Sequence, residues 1–339
     1  MTIREIASIA GVSPAAVSLV INHKKGVSEE TRQKVQSVID EYGYSVAWQK
    51  RKIKRFRLMV IKFHTHGITE ENQGFIASII DRIESECRRF AFDLVMSKCE
   101  APTAESTIRE LMTDPPDGVI IIGTELSEEY YGILDLFSMP VMVLDNNVRY
   151  KSVDSLVMDN RNISATAVRY LYQLGHRDIH YFKFSLPIHN CDERYEGYLD
   201  ELRKLGLIAP PPTLLGPTLN SAYDDMKALL KSGAYVPQGA VIADNDTVAI
   251  GAMKAIREAG YRIPEDVSII GVDDIPFSAM TMPALTTMRI SRATLGTLAV
   301  DMIRKRVKHP DWPSIHTQIT GRLVVRNSTR PVNEGDATC

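Results

Sequence analysis

Thr2-Ile-Arg-Glu-Ile-Ala-Ser-Ile-Ala-Gly-Val-Ser-Pro-Ala-Ala-Val-Ser-Leu-Val-Ile-Asn22 decides the reading of this 339-residue chain, because it encodes two short helices joined by a tight turn. Thr2 and Glu5 have the spacing of a capping box, in which each side chain accepts from a backbone N–H of the other residue. Ile3, Ile6, Ala7 and Ala10 then recur at helical spacing and form one apolar face. Gly11 suits the left-handed conformation that ends such a helix. Ser13 is a ready N-cap, and Pro14 sits at the first helical position, where its missing N–H costs nothing. Two helices around a glycine-containing turn make a helix-turn-helix, a unit whose second helix enters the major groove of DNA. The competing reading is a small helical bundle with a purely structural role.

Residues 28–57 favour DNA. Ser28 caps a third helix whose first turn carries Glu29 and Glu30, where carboxylates suit the helix dipole. Val35, Val38 and Ile39 give that helix a core face, and Tyr42-Gly43 closes it. Then comes Trp48-Gln-Lys-Arg-Lys-Ile-Lys-Arg-Phe-Arg57, a basic run with one aliphatic residue in its middle. Residues 1–57 hold 11 Lys/Arg against 5 Asp/Glu, a net of +6 inside a chain whose total is −2. Positive charge gathered into one small module is the footprint of phosphate contact, while the acidic remainder has no such attraction.

From residue 58 onward, short apolar runs alternate with helical patterns. The runs 58–63, 92–97, 118–122 and 141–144 read as strands, with helices at 74–89 and 103–113 between them. A second series has strands at 179–184, 240–243 and 268–272, interleaved with helices near 163–174, 193–205, 221–232 and 247–259. This order implies α/β architecture: parallel sheets covered by helices on both faces, in two lobes. Ligands in open α/β sheets bind beyond the carboxyl ends of the strands. No apolar run reaches 18 residues, so no membrane helix is expected, and the start of the chain lacks the apolar core of a signal peptide. Cys87, Cys99, Cys191 and Cys339 form no close pair and no metal-ligand spacing, and read as reduced thiols of a cytoplasmic protein. His64 and His66 lack a third ligand nearby in sequence, Asp244-Asn-Asp246 lacks the rest of a calcium loop, and no nucleophile or phosphate-loop motif occurs. No metal, no cofactor and no enzyme activity are expected.

The chain resembles the lactose-repressor (LacI/GalR) family of bacterial transcription regulators over essentially its whole length. Gly11-Val12-Ser13, Val17-Ser18, Asn22 and Tyr42-Gly43-Tyr44 match that family's headpiece motif. Leu174-Gly-His-Arg177, Val267-Ser-Ile-Ile-Gly-Val-Asp-Asp274 with Pro283-Ala-Leu-Thr-Thr287, and Leu323-Val-Val-Arg326 match three further motifs in order. The resemblance implies an all-α helix-turn-helix headpiece at 1–45, a hinge helix or linker at 46–57, and a two-lobed periplasmic-binding-protein-like core at 58–330. It places lobe 1 at about 58–159 and 289–321, lobe 2 at about 160–288 and 322–330, and a tail at 331–339. It also implies a cytoplasmic repressor, nucleoid-associated when on its operator, that binds a palindrome as a homodimer and controls carbohydrate-utilisation genes through a small-molecule effector, a sugar or sugar phosphate. No leucine heptad follows Arg326, so no tetramer-forming tail is expected. The alternatives are a cytoplasmic sugar-sensing protein and a DNA regulator controlled by a protein partner.

The same resemblance assigns sites. Pro14, Ala15 and Leu19 stand where the family reaches base edges. None offers a bidentate hydrogen bond, so contact with thymine methyls is what remains to Ala15 and Leu19. Polar reading then falls to Ser13, Ser18, Asn22 or His23, or to DNA shape; for Ala15, simple helix propensity is an equal alternative. Ile53 takes the place of the hinge leucine that wedges into the minor groove, and Lys50 and Arg51 attract phosphate. Val46-Ala47 replaces the usual Pro-Asn, which leaves a disordered basic tether as the alternative to a hinge helix. Phe75, Asp145, Arg194, Asn245 and Asp273 match effector-pocket positions; aromatic faces with carboxylates and amides suit a polyhydroxylated ligand. The competing reading of Arg194 and Asp273 is an inter-lobe salt bridge. Arg292 replaces an aromatic found in some relatives, and reads either as a site for an anionic ligand or as a surface residue.

Overall fold

The computed structural model describes residues 3–21, 24, 26–41, 55–67, 74–149 and 151–332. The chain divides into two units, Met1–Arg55 and Phe56–Cys339.

In the first unit, α1 (Ile3–Ala10), α2 (Pro14–Ile21) and α3 (Glu29–Glu41) pack on one another. Gly11 ends α1 with φ 64°, and Ser13 Oγ accepts from the Ala16 amide at 3.2 Å as the cap of α2. Ser28 Oγ accepts from the Thr31 amide at 3.2 Å, so α3 begins at Glu29. Ile6, Ala7, Val17, Val20, Ile21, Val35, Val38 and Ile39 form the buried core. That core is small, as expected for some 40 residues, and every member of it matters to stability. The capping box at Thr2, the helix end at Tyr42-Gly43, the 46–54 part of the linker and the 333–339 tail lie outside the described residues.

The second unit holds two six-stranded sheets. The first contains β1 (Arg57–His64), β2 (Asp93–Glu100), β3 (Gly118–Ile122), β4 (Val141–Leu144), β5 (Asp154–Met158) and β11 (His316–Ile319), in the order β11-β5-β4-β3-β1-β2. All its pairings are parallel. The second contains β6 (Ile179–Phe184), β7 (Thr213–Leu215), β8 (Ala240–Ala243), β9 (Ser268–Asp273), β10 (Thr286–Arg289) and β12 (Arg322–Val324), in the order β12-β10-β9-β8-β6-β7. Only the edge strand β12 runs antiparallel. Helices α4 (Phe75–Arg89), α5 (Ala104–Leu111) and α10 (Arg292–Lys308) accompany the first sheet. Helices α6 (Asn160–Gln173), α7 (His189–Lys204), α8 (Leu219–Ser232) and α9 (Asp246–Glu258) accompany the second.

Alternation along a strand explains how one sheet serves two cores. In β1, Leu58 and Val60 face the cluster that includes α4 and α10, while Met59, Ile61 and Phe63 face the one containing α5. The fully buried Gly-Val-Ile-Ile-Ile of β3 is what a parallel strand covered on both faces requires. Sheet membership shows where the chain passes between lobes: after β5, after β10 and between β11 and β12. Among the described residues no single helix is long and apolar enough to cross a membrane.

Candidate functional site

The carboxyl ends of the strands from both sheets converge on one cavity of about 40 Å³. Phe75, Ile76, Thr124, Asp145 and Met158 line it from the first lobe, and Phe184, Ile188, Asn190, Cys191, Arg194, Asn245 and Asp273 from the second. Each polar member stands where its element puts it. Thr124 lies just beyond β3, Asp145 directly follows β4, and Asp273 ends β9. Asn245 follows β8 and caps α9, its side chain accepting from the Val248 amide at 2.9 Å. Phe75 opens α4, and Arg194 lies in the second turn of α7.

Two of these positions are strained. Asp145 has φ 65° and Asp273 φ 110°, a region where a side chain clashes with its own backbone and glycine is favoured. Strain of this kind clusters at functional sites because surrounding contacts must hold it in place. Around Asp145 those contacts are explicit. Thr124 Oγ1 donates to its Oδ2 at 2.6 Å, and Asn190 Nδ2 donates to its backbone oxygen at 3.0 Å and to its Oδ1 at 3.1 Å.

Arg194 is buried. Its Nη1 donates to Asn160 Oδ1 at 2.9 Å and to Met158 Sδ at 3.5 Å, and its Nη2 to Cys191 Sγ at 3.1 Å. Its Nε is buried without a hydrogen-bond partner among the described residues. Burial works against the guanidinium charge, but Cys191, Asp244, Tyr181 and Asp273 around it hold the proton above its ordinary range. The carboxylates respond oppositely. Burial pushes Asp145 up to about 6 against the hydrogen bond from Thr124 and the charge of Arg194. Burial, with Asp246 and Asp145 adding to it, pushes Asp273 up to about 8 against the charge of Arg194. Behind the cavity, Asp246 accepts from Ser278 Oγ at 2.5 Å, Thr287 Oγ1 at 2.6 Å and the Ile275 amide at 3.0 Å, yet burial still pushes it up to about 7.

All five residues expected at an effector pocket, Phe75, Asp145, Arg194, Asn245 and Asp273, therefore line the same cavity. Arg194 and Asp273 belong to the same lobe, and no ion pair joins them among the described residues, so the inter-lobe bridge is not what the structure contains. Arg292, at the start of α10, donates to the backbone oxygens of Asp273 at 3.0 Å and Asp274 at 3.3 Å, with its guanidinium 5.9 Å from the Phe75 ring centre. It is a half-buried tie between the lobes rather than a surface residue. Sequence reasoning missed Thr124, Asn190 and Asn160. Their signal was position: two residues past a strand end, one turn before Arg194 on the same helix, and the first residue of α6. A larger groove of about 360 Å³ runs between α6 and α7, but its Arg169 and Lys204 both pair with Glu201 and it shares no lining residue with the cavity. It reads as a solvated ionic surface.

In the first unit, Ser13, Pro14 and Ala15 are exposed and Ser18 and Leu19 half-buried, while Val17, Val20 and Ile21 face the core. The open face of α2 thus carries the expected base-reading positions. Asn22, His23, Lys50, Arg51 and Ile53 lie outside the described residues.

Comparison with known proteins agrees with both units. Residues 2–46 match the model for bacterial regulatory proteins of the lacI family, and residues 168–329 match a periplasmic binding protein-like domain. The HTH-type transcriptional repressor PurR of Vibrio campbellii is 28% identical over 340 residues, spanning 98% of this chain and 99% of the relative. The ribose operon repressor of Escherichia coli is 29% identical, spanning 96% and 99%. Among solved structures, the lac repressor dimer bound to operator and the anti-inducer ONPF superposes with TM-score 0.74 at 23% identity, covering 97% of this chain and 99% of that one. A LacI-family regulator from Enterococcus faecium with bound ribose gives TM-score 0.68 at 24% identity, covering 81% and 100%. At these identities the two structures establish the shared fold alone. Headpiece, two-lobed core and order of motifs all match the lacI family of bacterial regulatory proteins.

Proposed function

We propose that this protein is a cytoplasmic repressor whose affinity for DNA is set by a small polyhydroxylated effector, a sugar or sugar phosphate, held between its lobes. The observation that carries the reading is the convergence of Phe75, Asp145, Arg194, Asn245 and Asp273 on one cavity at the strand ends. Paired carboxylates and an amide receive and give hydrogen bonds to neighbouring hydroxyls, and the Phe75 ring offers a face to sugar C–H groups. The ribose operon repressor among its relatives and the ribose-bound regulator among its structural neighbours support that ligand class. Because a cavity of about 40 Å³ holds only a few waters, a sugar enters through parting of the lobes.

The DNA half of the reading places a homodimer on a palindromic operator, as in the lac repressor dimer bound to operator. The open face of α2 meets the major groove, Lys50 and Arg51 meet phosphates, and Ile53 wedges into the minor groove, with the headpiece at 1–45 and the linker at 46–57. Apolar Ala15 and Leu19 at the reading positions favour recognition through thymine methyls and DNA shape over hydrogen-bond readout. Effector and operator influence each other's binding by the same factor.

Thermal melting of the full chain with a panel of sugars, sugar phosphates and nucleobases tests the effector. A ligand at 100 times its dissociation constant adds roughly 2.7 kcal/mol, a rise of several degrees in the core transition. Silence across the sugars and their phosphates overturns the sugar reading.

A further inference from the structure

Outside the residues that line the cavity, one charged pair crosses from lobe to lobe among the described residues. Arg149, in the segment that follows β4 in the first lobe, donates through Nη2 to Glu193 Oε1 on α7 of the second lobe at 2.6 Å. The partners are unequal: the Glu193 side chain is 3% exposed and that of Arg149 36%. Burial by itself raises the Glu193 pKa, but His189, 3.5 Å away, and hydrogen bonds from Asn160 and Arg149 overcome it and hold the carboxyl down at about 2. Its charge is therefore kept under all ordinary conditions, inside protein, with one of its donors supplied by the opposite lobe.

From Glu193 the polar network leads directly to the cavity. Asn160 Nδ2 donates to Glu193 Oε2 at 3.2 Å and to Asn190 Oδ1 at 3.1 Å. Asn160 Oδ1 in turn accepts from Arg194 Nη1 at 2.9 Å, and Asn190 Nδ2 donates to Asp145 back in the first lobe. Two ties, Arg149 to Glu193 and Asn190 to Asp145, thus join the same short segment of the first lobe to the first turns of α7. The second depends on the cavity residues themselves; the first does not.

We propose that Arg149 and Glu193 form a clasp that holds the lobes closed and, through Asn160, sets the orientation of Arg194 in the cavity. Arg149 is a positioning residue: it does not itself line the cavity, yet it supplies a charge-assisted hydrogen bond that the buried carboxylate has only when the lobes meet. Removing one member of such a pair strands the other, an effect larger than the worth of the pair itself. Parting the lobes lets water reach Glu193, so loss of Arg149 favours the open form. The consequence for effector affinity rests on the cavity reading above, whereas the clasp itself does not.

A native residue reports closure without any ligand. Cys191 lines the cavity, is 1% exposed and has burial raising its thiol pKa, so alkylation requires the lobes to part. Cys87, equally buried beside the first sheet, is an internal control for unfolding. The experiment is timed N-ethylmaleimide labelling of the full chain, read by peptide mass, for wild type, Arg149→Ala, Arg149→Lys and the Arg149→Ala/Glu193→Gln double variant. Arg149→Ala is expected to label Cys191 about tenfold faster or more with Cys87 unchanged. Arg149→Lys is expected to restore slow labelling, and Glu193→Gln to recover part of it by removing the stranded charge. An unchanged Cys191 rate in Arg149→Ala, or a rise matched by Cys87, overturns the clasp. Because no ligand is added, failure of the sugar panel leaves this result intact, and failure here leaves the panel intact.

Discussion

Asp273→Asn is the substitution whose effect the structure fixes most closely. In the folded core, burial and the charges of Asp246 and Asp145 push this carboxyl up to about 8, while Arg194 and Arg292 pull the other way. In the unfolded chain it titrates near about 3.9. Between pH 5 and 7 the native state therefore holds a proton that the unfolded state has released. Stability must then fall as pH rises, by about 1.4 kcal/mol per unit for this one group, and level off above the folded pKa. Asparagine has no such proton, fills nearly the same volume and tolerates the φ of 110° that Asp273 adopts. The raised carboxyls Asp145 and Asp246 remain in both proteins, so their contribution largely cancels in the difference. For a unit of this size the gap corresponds to about 3 °C per pH unit. Calorimetric scans of the full chain at pH 5, 6, 7 and 8 at constant ionic strength measure it. The wild type should lose that much relative to the variant between pH 5 and 7, so the variant is relatively most stable at alkaline pH. Parallel curves refute the argument, and a wild type that gains on the variant with rising pH would mean that Arg194 outweighs burial.

Two further substitutions test the packing that positions the sites. A Cβ at Gly197 would stand 2.3 Å from the Arg161 backbone oxygen and 2.6 Å from its Cα, so Gly197→Ala forces α6 and α7 apart. About 1–3 kcal/mol of core stability is expected to go, read as a lower melting temperature; an unchanged one would show that the helices adjust freely. In the headpiece, Ile6 is fully buried in a core of eight residues, and Ile6→Ala removes about 2–5 kcal/mol, most of what a unit of some 40 residues has. DNA retention should disappear while the core transition stays within a degree of wild type; retained DNA binding, or a shifted core transition, contradicts it.

Local chemistry explains which parts of this fold were legible. The caps at Ser13 and Ser28 and the left-handed Gly11 act within three residues of themselves, and the structure shows each of them. Strands β3, β4 and β8 are apolar runs buried on both faces, β6 interrupts its buried run with half-buried His180 and Lys183, and the ends of all four fall where the sequence pattern puts them. Strand β5 escapes the pattern because Asp154-Ser155 opens it: Asp154 is tied by Arg306 at 2.7 Å and by the Ile315 amide at 2.8 Å, partners more than 150 residues away. Strand β7 has three residues and follows three prolines, and only pairing with β6 makes it a strand. Helix α7 begins at His189, one turn before the expected start. That extra turn carries Asn190, so the misplaced start also hid a residue that contacts Asp145. At the cavity, a motif carries single positions well; what it omits is the partner each needs. Nothing near Glu193 in sequence announces Arg149, because the pair exists only across the cleft.

Conformational strain and buried charge concentrate at the same place, and their coincidence bears on how the two halves of the protein communicate. Asp145 and Asp273 each combine a positive φ with a carboxyl that burial makes harder to ionise. The burial cost weighs on the closed core alone, since an opened cleft hydrates the carboxyls. Against it stand Asn190 on Asp145, Arg149 on Glu193 and Arg292 on the backbone of Asp273 and Asp274. Closure is thus the sum of opposed terms of a few kcal/mol, which is the condition for a two-state element that ligand contacts can bias. A ligand whose hydroxyls donate to Asp145 and Asp273 removes part of the cost of burying them and shifts the balance towards closure. A ligand that only fills space with equal affinity for open and closed forms shifts nothing, however tightly it binds. On the proposed reading, effector action therefore depends on hydrogen bonds to those two carboxyls rather than on occupancy of the cavity.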